Sequence, residues 1–203
     1  MVDSFRFLHT AHNHVRALLG IPPFSLEVFE GYFGQPREKL YTQLYGEHRE
    51  IAKTHFETFV LANHLAALKP MEGAEYLLQV LERLDVPCGV VTNKKASLVS
   101  AEIRNFGWEK HFKSVVGAGE AQADKPSAAP LLLALERAGL AVPLETVWFV
   151  GDTDNDMLCA HSAGCQSVLI EKESVYSSLK QVHPIALYKK NCRGLAEFLL
   201  QYA

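Results

Sequence analysis

The chain of 203 residues lacks any long hydrophobic run, although 48% of its residues are hydrophobic. No apolar stretch approaches the roughly 20 residues that a membrane-spanning helix needs. The first residues, Met1 to Arg6, lack the basic and apolar regions of a signal peptide. From the sequence we therefore expect a soluble, cytoplasmic protein that has no membrane partner.

The chain also lacks an excess of positive charge. Its 20 Lys and Arg residues are outnumbered by 23 Asp and Glu residues, which leaves a formal net charge of -3. Binding to a phosphate backbone depends on a basic surplus. The charge balance therefore argues against nucleic acid as a partner, and it leaves the oligomeric state open.

Cysteine is scarce, and its spacing shows no pattern. Cys88, Cys159, Cys165 and Cys192 have neither the paired short spacing of a zinc site nor the density of a disulfide scaffold. We therefore expect these four residues to behave as small buried hydrophobic side chains.

Apolar residues follow one pattern in the first third of the chain and another in the rest. In residues 4–68 they recur at helical spacing without clusters of β-branched residues, which predicts an all-helical module. From Pro70 onward, short apolar runs alternate with longer helical segments. The short runs are Cys88–Val91, Ser114–Val116, Val147–Val150, Ser167–Ile170 and Ile185–Tyr188. The helical segments are Ala74–Leu84, Ala96–Phe106, Pro130–Ala138 and Met157–Ala163.

The short runs show no alternation of apolar and polar residues, so we predict strands that are buried on both faces. Such strands form a parallel sheet with helices on both sides. The predicted fold class is therefore α/β, a doubly wound parallel sheet with a separate all-helical module. We place the helical module at residues 1–68 and the α/β module at residues 69–203, because Pro70 and Gly73 interrupt the helical pattern.

Polar residues follow several predicted strands, at the edge of the sheet where α/β proteins bind ligands. Thr92, Asn93 and Lys94 come after the first strand and offer a hydroxyl and backbone N–H groups to an anionic oxygen. Thr92 or Asn93 could instead cap the next helix. Lys125 follows the second strand by a short loop, and a lone lysine is usually a solvated charge.

A cluster of carboxylates follows the strand that ends at Val150. Asp152, Asp154 and Asp156 lie within five residues, directly after Gly151. Carboxylates this close repel each other unless a cation compensates, and hard oxygen ligands suit Mg²⁺. The alternative is an acidic turn that caps the helix starting near Asp156.

A hydroxyl, a lysine and an acidic cluster in this order resemble the haloacid dehalogenase-like hydrolases, a superfamily of magnesium-dependent phosphatases. Thr92 is at the position of the Thr or Ser in a segment similar to the second motif of that family. The sequence Val-Val-Thr-Asn-Lys resembles that of phosphoglycolate phosphatases in particular. Lys125, followed by Pro126, is similar to the third motif. The segment Gly151–Asp156 is similar to the fourth.

The resemblance implies a Rossmann-like core with an inserted helical cap domain, which residues 1–68 would form. It implies that Thr92 and Lys125 are catalytic, that Thr92, Asn93 and Lys125 bind substrate, and that Asp152 and Asp156 hold Mg²⁺. The implied substrate is a small phosphorylated metabolite. Phosphoglycolate is favoured only by the amino-acid sequence of the motif segments. Gly34, Gln35 and Arg37 fall where such caps present substrate-selecting groups.

The sequence departs from the family pattern at the first motif. In family members this motif is a strand that ends in Asp-x-Asp-Gly-Thr-Leu-Val-Asp-Ser. Here Met1 directly precedes Val2-Asp3-Ser4, so neither catalytic aspartate of that phrase is among the 203 residues. We therefore expect a phosphatase of the aspartyl-phosphate type whose nucleophile is missing from this sequence. The alternative is a phosphate- or magnesium-binding module that performs no chemistry.

The departure also has a structural consequence. In the family, the first strand lies between the strand that ends at the second motif and the strand that ends at the fourth. Without it, the strands Cys88–Val91 and Val147–Val150 either pair directly or leave a gap with unpaired backbone groups. We expect direct pairing or collapse, because unpaired groups in a core each cost about 1–3 kcal/mol. A gap that persists would make the protein prone to aggregation.

Overall fold

A computed structural model describes residues 1–32, 35 and 37–202. The chain divides into two compact units, Val2–Lys69 and the remainder, in which Met1 groups with the chain from Pro70 onward. Within the described residues, no helix is both long enough and apolar enough to cross a membrane.

The first unit is built from helices. The chain enters it at β1 and leaves it at β2, two short strands that pair with each other. Its elements are β1 (Val2–Asp3), α1 (Phe5–Leu18), α2 (Leu26–Glu30), α3 (Arg37–Tyr45), α4 (Arg49–Ala67) and β2 (Lys69–Pro70).

An aromatic core surrounds a buried histidine in this unit. The ring of His12 lies 4.5 Å from that of Phe56 and 5.5 Å from that of Phe29, measured between centroids. Its Nδ1 lies 2.7 Å from the hydroxyl of Tyr45. Burial, together with the smaller effects of the positive charges of Arg16 and His9, lowers the pKa of His12 to about 3. His12 is therefore neutral, and it serves as a core residue.

The second unit alternates strands and helices, and its strands pair in parallel. The α/β fold with a parallel, helix-flanked sheet that the sequence predicts is confirmed. The elements are α5 (Ala74–Arg83), β3 (Cys88–Lys95), α6 (Ala96–Asn105), β4 (Phe112–Ala118), α7 (Ala129–Arg137), β5 (Trp148–Gly151), α8 (Asp154–Ala163), β6 (Gln166–Ile170), α9 (Glu173–Leu179), β7 (Leu187–Lys189) and α10 (Cys192–Leu200).

The parallel sheet is interrupted between β3 and β5. In the described part of the chain, β3 pairs only with β4, whereas β5, β6 and β7 form a separate three-stranded sheet. The expected direct pairing of β3 with β5 is therefore wrong. A lysine side chain joins the two strands instead, since Nζ of Lys125 donates to the carbonyl of Val91 in β3 and to Asp156 beyond β5.

Apolar packing also connects the two sheets. Phe149 of β5, Leu131 of α7 and Cys159 of α8 belong to one buried cluster, and Val91 of β3 packs against it. The two sheets thus share a core although they share no strand pairing in the described residues.

Burial of the strands differs from the sequence prediction at β5. Phe149 is buried, but Trp148 and Val150 keep 43% and 42% of their surface exposed. The prediction that this strand is buried on both faces is therefore wrong. Side chains alternate between the two faces of a strand, so Trp148 and Val150 share the face opposite to Phe149, and that face is only partly covered.

The four cysteines are free thiols. Cys159, Cys165 and Cys192 are buried, which confirms the prediction for these three. Cys88, at the beginning of β3, is half-buried, and its Sγ donates to the carbonyl of Val86.

We predict that His12 makes the helical unit sensitive to acid. In the unfolded chain a histidine has a pKa of about 6.5, so between pH 6.5 and 3 the unfolded state binds the additional proton. The contribution of neutral His12 to the free energy of unfolding is therefore fully present above pH 6.5. It is lost as the pH drops from 6.5 towards 3, by up to about 1.4 kcal/mol per pH unit.

Urea unfolding at neutral and acidic pH, followed by far-UV circular dichroism, measures this slope. His12→Phe should flatten it, whereas the same substitution at the exposed His14 should preserve it. Equal slopes in the two variants would contradict the prediction.

Candidate active site

Thr92 and Asn93 lie within the last part of β3. The next helix, α6, begins at Ala96 with Lys95 as its N-cap residue, so neither Thr92 nor Asn93 caps it. The hydroxyl oxygen of Thr92 accepts a hydrogen bond of 3.2 Å from the N–H of Lys94, two residues later. Thr92 therefore holds the backbone of its own turn at the carboxyl end of the strand.

Asn93 connects this turn to the loop that carries Lys125. Its Nδ2 donates to the carbonyl of Lys125 at 3.0 Å, and its Oδ1 accepts from the N–H of Lys125 at 3.1 Å. The structure thus brings the second and third sequence motifs into direct contact.

Lys125 is not a solvated charge, because only 12% of its side chain is exposed. Its Nζ lies 2.7 Å from Oδ1 of Asp156 and 3.1 Å from the carbonyl oxygen of Val91. The ammonium also lies 5.6 Å from the centre of the Phe149 ring. Lys125 therefore places a positive charge between the ends of β3 and β5.

The carboxylate of Asp156 stabilises the turn that begins α8 through hydrogen bonds. Its Oδ2 accepts from the N–H groups of Asp152 and Thr153 and from the hydroxyl of Thr153, at 2.7–3.1 Å. Although burial opposes the charge, Lys125 and these hydrogen bonds hold the pKa of Asp156 below its usual range. Asp156 therefore does cap the helix, as the alternative interpretation predicted, and it also pairs with Lys125.

Gly151 is needed for this arrangement. A methyl group at this position would overlap the side chain of Asp156, whose carboxylate closes over the strand end. The turn can therefore form only where the residue that ends β5 has no side chain.

Asp152 differs from Asp156 in the direction of its pKa shift. Burial among protein atoms and the nearby charge of Asp156 raise the pKa of Asp152 to about 6, although the positive charges of the N-terminus and Lys125 act in the opposite direction. Within the described residues no hydrogen bond or ion pair of its carboxylate is found, yet the residue stays exposed on one side. A cation can reach this carboxylate from the solvent and lower its pKa.

Two further charged pairs were missed by sequence reasoning. Asp154, the third carboxylate of the turn, contacts the imidazole of the buried His183, which precedes β7. Both oxygens of the buried Glu102 in α6 accept from Nζ of Lys94, at 2.9 and 2.7 Å. Nothing in the local pattern around His183 or Glu102 could have revealed these pairs.

The three candidate substrate-selecting residues belong to the helical part of the chain. Arg37 forms an ion pair with Glu57, and the amide of Gln35 donates to the carbonyl of Gly31 at 3.0 Å. Gly34 lies outside the described residues.

The carboxylates of the α8 turn meet part of the requirement for Mg²⁺. The described residues contain no group of three or more His, Cys, Asp or Glu side chains that could hold a metal ion. Mg²⁺, however, keeps several water ligands and needs only one or two carboxylates from the protein. The unpaired carboxylate of Asp152 fits such a site, and Asp156 holds the loop that carries it.

Comparison with known sequences identifies the family. The family model described as haloacid dehalogenase-like hydrolase matches residues 1–170, which is most of the chain. The chain therefore belongs to the haloacid dehalogenase-like hydrolase family, and the order of Thr92, Lys125 and Asp152 agrees with that membership.

Curated relatives include phosphoglycolate phosphatases. That of Photorhabdus laumondii is 33% identical over an alignment of 180 residues, covering 83% of this chain and 74% of the relative. That of Escherichia coli K12 is 33% identical over 153 residues, covering 75% of this chain and 54% of the relative. The chain thus spans between about half and three quarters of the length of these relatives.

Solved structures show the same fold. A haloacid dehalogenase-like family hydrolase from Streptococcus pneumoniae superposes with a TM-score of 0.84 at 22% identity, covering 100% of this chain and 93% of that one. A hydrolase of the same superfamily from Geobacter sulfurreducens gives a TM-score of 0.72 at 24% identity, covering 98% and 91%. At such identities the likeness concerns the fold alone.

We predict that Gly151→Ala lowers the free energy of unfolding by about 1–3 kcal/mol, the usual cost of overpacking. The added methyl group would force Asp156 away from the turn and from Lys125. Gly194→Ala is the matched control, since a methyl group there meets only ordinary contacts in α10 and should stabilise the helix. Urea denaturation distinguishes the two, and equal effects would contradict the role of Gly151.

Proposed function

We propose that this chain forms the phosphate- and magnesium-binding part of a phosphatase for a small phosphorylated metabolite. The observation that carries the proposal is the position of Lys125, whose ammonium lies between the strand end at Thr92 and the acidic turn at Asp152. The phosphoglycolate phosphatases among the relatives support the substrate class. In this proposal the helical unit acts as the cap that selects the substrate.

Each residue has a proposed role in phosphoryl transfer. The hydroxyl of Thr92 and the ammonium of Lys125 bind oxygens of the phosphate and stabilise the negative charge of the transition state. Asp152 would hold Mg²⁺, which supplies further charge neutralisation when bound. Asp156 orients the turn and keeps Lys125 in place.

We also propose that the nucleophile is absent from these 203 residues. The supporting feature is the interruption of the sheet between β3 and β5, where the family resemblance places the strand of the nucleophile. In the complete reaction, an aspartate oxygen attacks phosphorus, the alcohol leaves, and water hydrolyses the aspartyl-phosphate. By analogy with a protease that has lost its nucleophile, the missing aspartate should reduce the rate by about 10⁶-fold.

A binding module without catalysis is the second candidate. Asp156 and Val91 hold the ammonium of Lys125 in place without any nucleophile, and an ammonium has a third N–H group that can donate to an anion, which favours a site that binds anions but does not react. The two candidates differ in whether supplying the missing strand generates activity.

We predict that excess Mg²⁺ raises the melting temperature, since a ligand at 100 times its Kd adds about 2.7 kcal/mol to stability. Asp152→Asn should abolish the rise. Asp154→Asn is the matched control, because that carboxylate contacts His183, and it should retain the rise. Differential scanning fluorimetry at constant ionic strength measures both, and a shift that survives Asp152→Asn would place the metal elsewhere.

We predict that the 203-residue chain expresses poorly, because the edges of β3 and β5 that lack a partner strand in the described residues favour aggregation. A strand ending in Asp-x-Asp-Gly-Thr-Leu, added ahead of Val2, should restore solubility and magnesium-dependent hydrolysis of p-nitrophenyl phosphate. The strand would pair with the open edges of β3 and β5 and supply the nucleophile. The control is the same addition with Asn as its first acidic residue, which should restore solubility without activity. An extended chain that folds and binds Mg²⁺ but remains inactive would favour the binding module.

A further inference from the structure

Lys125 lies in an irregular segment between β4 and α7, outside any strand or helix. Its ammonium nevertheless has to reach both Val91 and Asp156. The backbone of such a loop is not held by the hydrogen bonds of a sheet or helix. Displacement of a catalytic group by about 1 Å can cost a hundredfold in rate, so the loop needs an anchor.

The side chain of Asn93 provides this anchor. It bonds the N–H of Lys125 through Oδ1 and the carbonyl of the same residue through Nδ2. Asn93 lies in β3 between Val91 and Lys95, which pair with Val116 and Ala118 of β4, so the strand is held on both sides of the irregular stretch that contains Asn93. Lys125 is thus tied to β3 at three points, its N–H, its carbonyl and its ammonium.

We infer that Asn93 is a positioning residue that fixes Lys125, rather than a residue that selects the substrate by contact. The inference rests on the proposed function for the role of Lys125 in phosphate binding. The two hydrogen bonds use the carbonyl oxygen and one N–H of the Asn93 amide, and they point the amide at the third-motif loop.

The helical unit contains a matched pair of hydrogen bonds. The amide of Asn13 accepts from the N–H of Phe24 and donates to its carbonyl, both at 3.0 Å. The same side chain thus makes the same two bonds in a place that involves no site residue, and its Nδ2 also lies 3.0 Å from Nε2 of His9. Asn13→Ala therefore removes at least an equivalent structural contribution and serves as the control.

The test measures how readily acetic anhydride acetylates the amine of Lys125, quantified by mass spectrometry at fixed pH in the folded chain. Lys125 must leave its partners before it can react, so looser anchoring raises the rate. Asn93→Ala should raise it about five-fold or more, the factor expected from losing a typical hydrogen bond. Asn13→Ala should leave the rate of Lys125 unchanged.

A conservative variant covers the case in which Asn93→Ala does not fold. Asn93→Asp keeps the acceptor for the N–H of Lys125 and loses the donor to its carbonyl, so its acetylation rate should lie between those of the parent and Asn93→Ala. An unchanged rate in a folded Asn93 variant, or an equal rise in Asn13→Ala, overturns the inference.

Vanadate binding to the parent chain separates this inference from the proposed function. If the parent binds no vanadate, the proposed phosphate site fails, while acetylation still reports whether Asn93 positions Lys125. If the parent binds vanadate, Asn93→Ala should weaken that binding about five-fold or more, again the equivalent of one hydrogen bond. If Asn93→Ala binds vanadate as tightly as the parent chain does, the inference about Asn93 is wrong, whereas the proposed phosphate site is unaffected.

Discussion

The ion pair between Lys125 and Asp156 connects the two sheets of the α/β unit. A buried ion pair is costly to desolvate and is tolerated only when its polar atoms have further partners. Here the remaining partners are the carbonyl of Val91 on one side and the turn of Asp152 and Thr153 on the other. The end of β3, the third-motif loop and the start of α8 therefore depend on one another.

Of the three carboxylates in the α8 turn, that of Asp152 has no ion-pair partner in the described residues. Asp156 is neutralised by Lys125 and Asp154 contacts His183, whereas Lys94 is neutralised by Glu102. Burial and the repulsion of Asp156 raise the pKa of Asp152, and the positive charges of the N-terminus and Lys125 offset this only in part. A buried carboxylate with a raised pKa beside one that is paired with lysine is the arrangement expected where an external cation completes the charge balance.

The interrupted sheet shows how an α/β unit can keep its architecture with few strand pairings. The helix α7 packs on β3 and β4, α8 packs on β5 and β6, and the two helices contact each other. Phe149 and Leu131 belong to a cluster that Val91 of β3 also contacts. Side-chain packing therefore replaces backbone pairing at the interruption. On the other face of β5, Trp148 and Val150 remain partly exposed.

Local patterns in the sequence were sufficient for the strands β3 to β7 and the helices α5 to α8, and for the loops of Thr92, Lys125 and Asp152. Periodicity and turn residues act over a few positions, so a local pattern contains them. The helix α9 was missed because none of its residues is buried, so it has no apolar stripe. α10 has such a stripe and an Asn191 cap, and both were overlooked. Only the tertiary structure decided the split of the sheet, the burial of His12 and the pairing of Asp154 with His183. Each of these depends on free energies between residues far apart in the chain, which no local pattern contains.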